Sequence, residues 1–132
     1  MDPMRVASAY LEAWNQRDPG KIVATFAADG TYIDPASGGA LVGEAIGQYA
    51  SGLFAAFPDL SFEVVSVGAV GKNLVAAQWM MRGANTGSLF GGPPTGRKVA
   101  LPGADFITVD ADKIRSVRGY FDMKTFGEQL GL

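Results

Sequence analysis

The chain has 132 residues, of which 48% are hydrophobic and 18% charged, and it contains no cysteine and no histidine. This length suits one domain, residues 1–132, and is sufficient to bury a hydrophobic core. The missing residue types exclude disulfides, cysteine–histidine metal sites, thiol catalysis and every mechanism that needs an imidazole base. We therefore expect no metal site, and any chemistry must come from the remaining side chains, the backbone or a borrowed cofactor.

Charge is distributed unevenly along the chain, whose net charge is −2. Residues 1–63 hold eight acidic and three basic residues, whereas residues 64–132 hold five acidic and eight basic ones. The only adjacent basic pair is Arg97-Lys98, so the clustered footprint typical of nucleic-acid binding is absent. No apolar run approaches the ~20 residues that span a bilayer, and the N-terminus does not resemble a signal peptide. We expect a cytoplasmic protein that binds neither nucleic acid nor membranes.

Three helices are predicted in the first half of the chain. Asp2-Pro3 and Asp18-Pro19 are helix-start signals, since aspartate caps an N-terminus and proline suits the first helical position. Apolar residues at helical spacing and the terminating Pro58 give the extents. The first predicted helix is Met4–Arg17. A short second helix follows Asp18-Pro19, includes Phe26 and ends near Asp29-Gly30, and a third runs from Gly43 to Pro58. Between the second and the third helix we expect a short strand, Thr31–Ile33, and a loop, Ala36–Ala40.

After Pro58 the apolar period changes to two, which is typical of strands. The predicted strands are Leu60–Val70, Leu74–Ala84, Arg97–Val109 and Lys113–Asp122. Short polar turns join the first pair and the last pair as hairpins, a flexible stretch Asn85–Gly96 lies between them, and Pro102-Gly103 indicates a bulge or bend. A terminal helical turn is predicted over Met123–Leu130. Helices first and strands afterwards favour an α+β fold with helices over one face of a curved sheet.

Asp105 lies in the interior of a predicted strand, with no lysine or arginine within six residues on either side. Strand alternation places it on the same face as Ile107 and Val109, where it is poorly hydrated. Desolvation disfavours the charged form, so we expect a raised pKa and a carboxylic acid able to donate a hydrogen bond. A hydrogen bond to the backbone, or a position at the sheet edge, is the alternative.

Three other polar residues are candidates with ordinary structural alternatives. Asp34 is a candidate proton-transfer group at the rim of a pocket between helices and sheet, but Asp-Pro is also a common turn initiator. Tyr10 lies on the apolar face of the first helix, where most tyrosines are core residues. Asp122 either caps the terminal helix or provides a rim carboxylate.

Several motifs and the order of elements over residues 4–130 resemble the NTF2-like superfamily, which implies a cone of three helices packed on a curved antiparallel sheet. The loop Thr86–Val99, Ala104-Asp105-Phe106 and Gly119-Tyr120-Phe121-Asp122 are similar to the SnoaL-like polyketide cyclases. Cyclases of this branch often carry a His-x-Asp in the last strand, where this chain has Val117 and Gly119.

The ketosteroid isomerases are a second branch that the chain resembles. Tyr32-Ile33-Asp34-Pro35 is similar to the segment that holds their general base, Tyr10 aligns with their oxyanion tyrosine and Asp105 with their protonated aspartate. Tyr49 resembles a supporting tyrosine on the third helix. The resemblance therefore implies that Asp34 removes a proton alpha to a carbonyl, while Tyr10 and Asp105 donate hydrogen bonds to the enolate.

These expectations combine into one hypothesis: a cofactor-independent enzyme that isomerises or cyclises an apolar, steroid- or polyketide-like carbonyl compound. The predicted cavity wall comprises Trp14, Tyr49, Leu53, Phe54, Leu101, Val117 and Phe121. One alternative is a non-catalytic ligand-binding or dimerisation module. Another is an epoxide hydrolase of the same fold, which needs an arginine between two carboxylates, with Arg82 and Arg118 as the candidates.

Family resemblance also implies a homodimer. The strand Leu74–Ala84 supports this independently, because it is apolar on both faces, as expected if a partner covers its outer side.

Overall fold

A computed structural model describes residues 2–132, which form four helices and six strands. The helices are α1 (Pro3–Asn15), α2 (Pro19–Ala24), α3 (Glu44–Ala56) and α4 (Met123–Leu130). The strands are β1 (Phe26–Ile33), β2 (Leu41–Val42), β3 (Ser61–Val70), β4 (Leu74–Ala84), β5 (Lys98–Asp110) and β6 (Lys113–Phe121).

Aspartate residues start three of the helices. The carboxylates of Asp2 and Asp18 accept backbone N–H groups in the first turns of α1 and α2, each followed by proline, as the sequence predicts. Asp122 caps α4 in the same way by accepting the backbone N–H of Lys124. These caps satisfy N–H groups that have no partner within the helix.

All six strands form one curved, open sheet in the order β2-β1-β6-β5-β4-β3. Every neighbouring pair is antiparallel except β1 and β6, which run parallel with Tyr32 opposite Val117. The chain therefore has the expected α+β architecture of helices packed over a curved sheet. The parallel pair places the end of β1 beside β6, which in turn pairs with β5.

The hydrophobic core lies between the helices and the concave face of the sheet. Strand alternation places Asp105, Ile107 and Val109 of β5 on this inner face, as the sequence predicts, and all three are buried. The apolar stripe of α1 contributes Tyr10 and Trp14 to the same space. The fold thus directs one carboxyl group and one phenol into an apolar interior.

Several predicted boundaries are wrong. The second helix ends at Ala24, and β1 begins at Phe26 instead of Thr31, because Phe26 inserts into the core against Tyr10. An additional short strand, β2, pairs with β1, and the terminal turn is a full helix, so four helices are present over residues 2–132 instead of three.

The predicted bulge at Pro102-Gly103 is also absent, since the β4–β5 register continues through both residues. None of the described helices is long and apolar enough to cross a membrane.

Candidate active site

An apolar cavity lies between α1, α3 and the inner face of the sheet. Its volume is about 40 Å³, enough for roughly three water molecules at ~10–15 Å³ each. Tyr10, Asp34 and Asp105, which the sequence predicts as the catalytic residues, all line this cavity. They come from α1, from the residue after β1 and from β5, which are far apart in sequence.

Tyr10 is fully buried in the middle of α1. Burial raises the pKa of its phenol well above the ordinary value, and the negative charge of Asp105 raises it further. The neighbouring Trp14 acts in the opposite direction by hydrogen bonding. The phenol is therefore neutral at physiological pH and retains its O–H as a hydrogen-bond donor.

Asp34 is buried at the end of β1 and accepts hydrogen bonds from three groups. Tyr32 donates its O–H to Oδ2 at 2.5 Å, and Tyr49 donates its O–H between the two oxygens, 2.8 Å from Oδ2 and 3.0 Å from Oδ1. The backbone N–H of Ala36 donates to Oδ1 at 2.7 Å and closes a turn. Asp34 therefore closes the turn expected from Asp34-Pro35 and also lines the cavity.

Asp105 is buried in a different environment, opposite Gly119 in the β5–β6 register. Desolvation raises the pKa of its carboxyl to about 7, and the charge of Asp34 adds to this effect. The indole N–H of Trp79 lies near the carboxyl group and lowers its pKa. The two groups do not meet the geometry of a full hydrogen bond, so the buried Nε1–H has no partner. The cavity therefore holds two carboxyl groups whose environments differ.

Two glycines provide the space that these groups occupy. A Cβ atom on Gly119 would lie 3.1 Å from Asp105 Oδ1 and 3.2 Å from Asp34 Cβ, closer than most Cβ contacts, so glycine leaves room for both carboxyl groups. A Cβ atom on Gly103 would lie 2.3 Å from the ring of Trp79. The Pro102-Gly103 segment thus accommodates an indole ring instead of forming a bulge.

Half of the sixteen residues that line the cavity are aromatic. Five of the seven predicted wall residues line it, namely Trp14, Tyr49, Leu53, Leu101 and Phe121. Phe54 and Val117 are not among the lining residues: Phe54 packs against Trp14, with ring centroids 5.4 Å apart, and Val117 is fully buried in the core.

Asp122 lies outside the cavity lining and is fully exposed. Its carboxylate accepts hydrogen bonds from Thr125 Oγ1 at 2.8 Å and from the Lys124 backbone. The Thr125 hydroxyl and the Lys124 N–H lower its pKa. Asp122 is therefore a helix cap and not a rim acid, because the cap geometry directs its carboxylate to α4.

Sequence reasoning missed three residues that shape the site: Tyr32, Trp79 and Gly119. Tyr32 and Asp34 are two residues apart at the end of a strand, so alternation already indicates a shared face. The inward parity of Trp79 with Val75 and Ala77 was similarly visible in the sequence. The role of Gly119 was not visible, because it depends on two neighbouring strands.

Among the described residues that line the cavity there is no lysine or arginine. Arg82 lies on the outer face and pairs with Glu63 at 3.2 Å, and Arg118 is exposed. The described residues also contain no cluster of three potential metal ligands. The carboxyl groups in the cavity therefore face phenols and an indole without a compensating side-chain cation.

A family model described as SnoaL-like polyketide cyclase matches residues 4–130. Comparison with curated proteins gives no significant match. Among solved structures, a hypothetical protein with a ketosteroid isomerase-like fold from Catenulispora acidiphila, crystallised with trimethylamine, is 25% identical with a TM-score of 0.79, and the match covers 96% of this chain and 92% of that one.

Two Streptomyces structures share the fold at lower identity. IdmH from Streptomyces antibioticus, a proposed polyketide cyclase, is 24% identical with a TM-score of 0.80 and full coverage of both chains, 100% and 100%. AclR from Streptomyces galilaeus, a proposed hydroxylase, is 22% identical with a TM-score of 0.84, covering 98% of this chain and 80% of that one.

Proposed function

The chain belongs to the SnoaL-like polyketide cyclase family, and on that premise we propose that it is a cofactor-independent enzyme that removes a proton alpha to a carbonyl group of an apolar substrate. The enolate that forms is stabilised inside the cavity. Return of the proton to another carbon gives isomerisation, whereas attack of the enolate on a second carbonyl gives cyclisation.

One observation carries this proposal: two carboxyl groups in different environments and a neutral phenol line a single apolar cavity. A carboxyl group with a perturbed pKa inside such a cavity is suited to exchange a proton with a substrate near neutral pH. Tyr10 supplies a hydrogen bond to the developing oxyanion. In a site that excludes water, such a donor stabilises the transition state far more than it would in solution.

The cavity lining favours a neutral, ring-containing substrate. Aromatic faces such as those of Trp14, Trp79 and Phe121 stack on planar conjugated systems, and the lining has no cation to bind an acidic group. Pockets that hold drug-sized ligands have volumes of about 300–1,000 Å³. A fused-ring ketone therefore enters only if the wall side chains move outward from the compact arrangement of about 40 Å³.

The proposal is tested by following deuterium exchange at carbon alpha to the carbonyl of ring ketones, including β,γ-unsaturated ones, by NMR. The wild-type protein accelerates exchange, and Tyr10→Phe lowers the rate roughly 100-fold or more, because a well-placed oxyanion donor is worth about 3–4 kcal/mol. Tyr120→Phe is the matched control, since Tyr120 is exposed on the outer face of the sheet. Absence of exchange above the buffer rate across the panel would refute the enzymatic proposal.

The second candidate function is a ligand-binding module without catalysis. The turn that Asp34 closes with the Ala36 N–H favours it, because a carboxylate that is fixed in a turn has a sufficient structural role. Saturable ketone binding by a protein that catalyses no exchange would support this function. The epoxide hydrolase alternative lacks the arginine it requires among the described cavity residues.

A further inference from the structure

We propose that Asp105, and not Asp34, is the general base that receives the substrate proton, with Asp34 and Trp79 as positioning residues beside it. This inference rests on the proposed function and divides the two carboxyl groups between different roles in it. It also reverses the assignment that the ketosteroid isomerase resemblance implies.

Asp34 is poorly placed to accept a proton from a substrate because its oxygens already serve as acceptors. Oδ2 receives the O–H of Tyr32, Oδ1 receives the Ala36 N–H, and the O–H of Tyr49 lies within 3.0 Å of both oxygens. A carboxylate has about four lone-pair positions. A proton arriving at Asp34 would have to displace one of these donors.

Asp105 has no comparable set of donors among residues 2–132. The group beside it is the Trp79 indole, whose Nε1–H has no partner in hydrogen-bond geometry. Its Oδ1 lies close to Gly119, where an added Cβ atom would come within 3.1 Å of it. The carboxyl group therefore keeps lone pairs that are free to face a substrate in the cavity.

The titratable groups that line the cavity with Asp105 come from α1, from β1 and the residue after it, and from α3. Tyr10 of α1, Tyr32 of β1 and Tyr49 of α3 are phenols with raised pKa values and remain neutral. Asp34 is the other carboxyl group, and its charge opposes ionisation of Asp105. Burial holds the pKa of Asp105 at about 7, where a group is both sufficiently ionised and sufficiently basic to act near neutral pH.

The proposed step is a proton transfer that is balanced within the cavity. The C–H bond alpha to the carbonyl breaks, and the proton forms an O–H bond with the Asp105 carboxylate. The C–H electron pair becomes the carbon–carbon double bond of the enolate, and the carbonyl π pair moves to oxygen, which accepts a hydrogen bond from Tyr10. Asp105 then returns the proton to another carbon, or to the alkoxide that an intramolecular aldol addition creates.

Substitution by asparagine separates the two assignments. Asp105→Asn retains hydrogen-bond donors but accepts no proton, so we expect exchange at the alpha carbon to fall about 10²–10⁴-fold. Asp34→Asn retains exchange within about tenfold, because Asp34 acts through its charge and not as the acceptor. Asp110→Asn, at the exposed end of the same strand, serves as the control for substitution in β5.

The opposite pattern, an active Asp105→Asn variant and an inactive Asp34→Asn variant, would overturn the inference while leaving the proposed function intact. Absence of exchange by the wild-type protein would refute both. If either variant fails to fold, the wild-type pH profile decides. A general base at Asp105 gives a rate that rises to a plateau above about pH 7, whereas a rate that falls through the same range would identify Asp105 as a neutral donor and contradict the inference.

The positioning residues are tested by the midpoint of that profile. Trp79→Phe removes the indole N–H and keeps an aromatic ring, so the midpoint moves to higher pH. Asp34→Asn removes a neighbouring negative charge, so the midpoint moves to lower pH. Shifts in these opposite directions support the inference, and an unchanged midpoint in both variants would contradict it.

Discussion

At the scale of single residues, two aspartates share one cavity and differ in what surrounds them. Asp34 is supplied with donors by two phenols and a backbone N–H. Asp105 is surrounded by apolar and aromatic groups, with Trp79 beside it. Desolvation opposes ionisation of Asp105, whereas hydrogen-bond donors occupy the oxygens of Asp34, so the chemical difference between the two residues arises from their partners.

The raised pKa of Asp105 predicts how stability changes with pH. The unfolded chain releases this proton near 3.8 and the folded protein near 7, so the folded state binds more protons in that range and loses stability as the pH rises through it. The Asp105→Asn variant lacks this loss. We expect its free energy of unfolding, relative to wild type, to increase by roughly 2–4 kcal/mol between about pH 4 and pH 8, as measured by urea denaturation.

Asp122→Asn is the control for this measurement, because the pKa of Asp122 is lowered and its contribution is lost as the pH falls. The free energy of unfolding of Asp122→Asn, relative to wild type, therefore decreases as the pH rises, opposite to Asp105→Asn and by a smaller amount. A pH-independent difference for Asp105→Asn would contradict the burial argument.

Gly119 gives a second prediction at the residue scale. In Gly119→Ala the added methyl group lies within 3.2 Å of atoms of both Asp105 and Asp34. We expect ketone exchange to fall about 10- to 100-fold with a stability loss of roughly 1–2 kcal/mol, because packing must shift around both carboxyl groups.

Gly52→Ala is the control, since Gly52 lies in the exposed part of α3 and a methyl group added there would meet no atom within 4 Å. This variant should gain up to about 1 kcal/mol of stability from helix propensity and keep its activity. Equal activity of Gly119→Ala and wild type would show that the carboxyl groups do not depend on this space.

At the scale of elements, buried polar contacts hold the segment between β4 and β5 in place. Asn85 is fully buried and donates its side-chain N–H groups to the carbonyl oxygens of Ala56 and Gly87. Its Oδ1 accepts the N–H and the hydroxyl of Thr95. The stretch Asn85–Gly96, which its glycines and prolines mark as flexible, is therefore anchored to the end of α3 through the carbonyl of Ala56, which also accepts the Gly87 N–H.

Asn85→Ala should lower the free energy of unfolding by about 3 kcal/mol, because it leaves buried carbonyl and N–H groups without partners. Urea denaturation measures this loss. Ketone exchange at low temperature should be retained, since Asn85 does not line the cavity. Thr86→Ala, at an exposed neighbouring position, is the control, and a similar stability for both variants would contradict the anchoring role.

At the scale of the whole molecule, the sheet has one face covered by helices and one that carries exposed apolar side chains. Phe106 and Tyr120 are 40% and 51% exposed on neighbouring strands and form an edge-to-face pair with centroids 5.8 Å apart. Ala76, Pro102 and Ala104 line the same outer surface beside this pair. Contiguous apolar surface of this kind is typical of an interface.

We therefore predict a homodimer that associates through this outer face, with a mass in light scattering of about twice that of the 13.8 kDa chain. Phe106→Glu places a charge in the interface and should give monomers. Val42→Glu is the control, because Val42 is 47% exposed on β2, which is an edge strand of the sheet and does not carry Phe106 or Tyr120. A monomeric wild-type protein would contradict the prediction.

Local sequence patterns were sufficient for much of the fold. Helix caps and apolar spacing located three helices, and alternation placed Asp105 and Ile107 on the buried side of β5. Alternation fails near Phe26, since a single aromatic residue suits either a helix end or a strand start and only its contact with Tyr10 decides between them. The parallel pairing of β1 with β6 likewise depends on residues about 90 positions apart.

The periodicity of the sequence by itself determined an α+β chain with a carboxyl group and a phenol directed inward. The residue types that are present determined that no thiol or imidazole is available for chemistry. Tertiary structure alone decided how the two carboxyl groups differ, because the donors to Asp34 and the apolar surroundings of Asp105 come from elements distant in the chain. Protonation depends on the neighbours that folding brings within a few ångströms, and a linear pattern does not specify them.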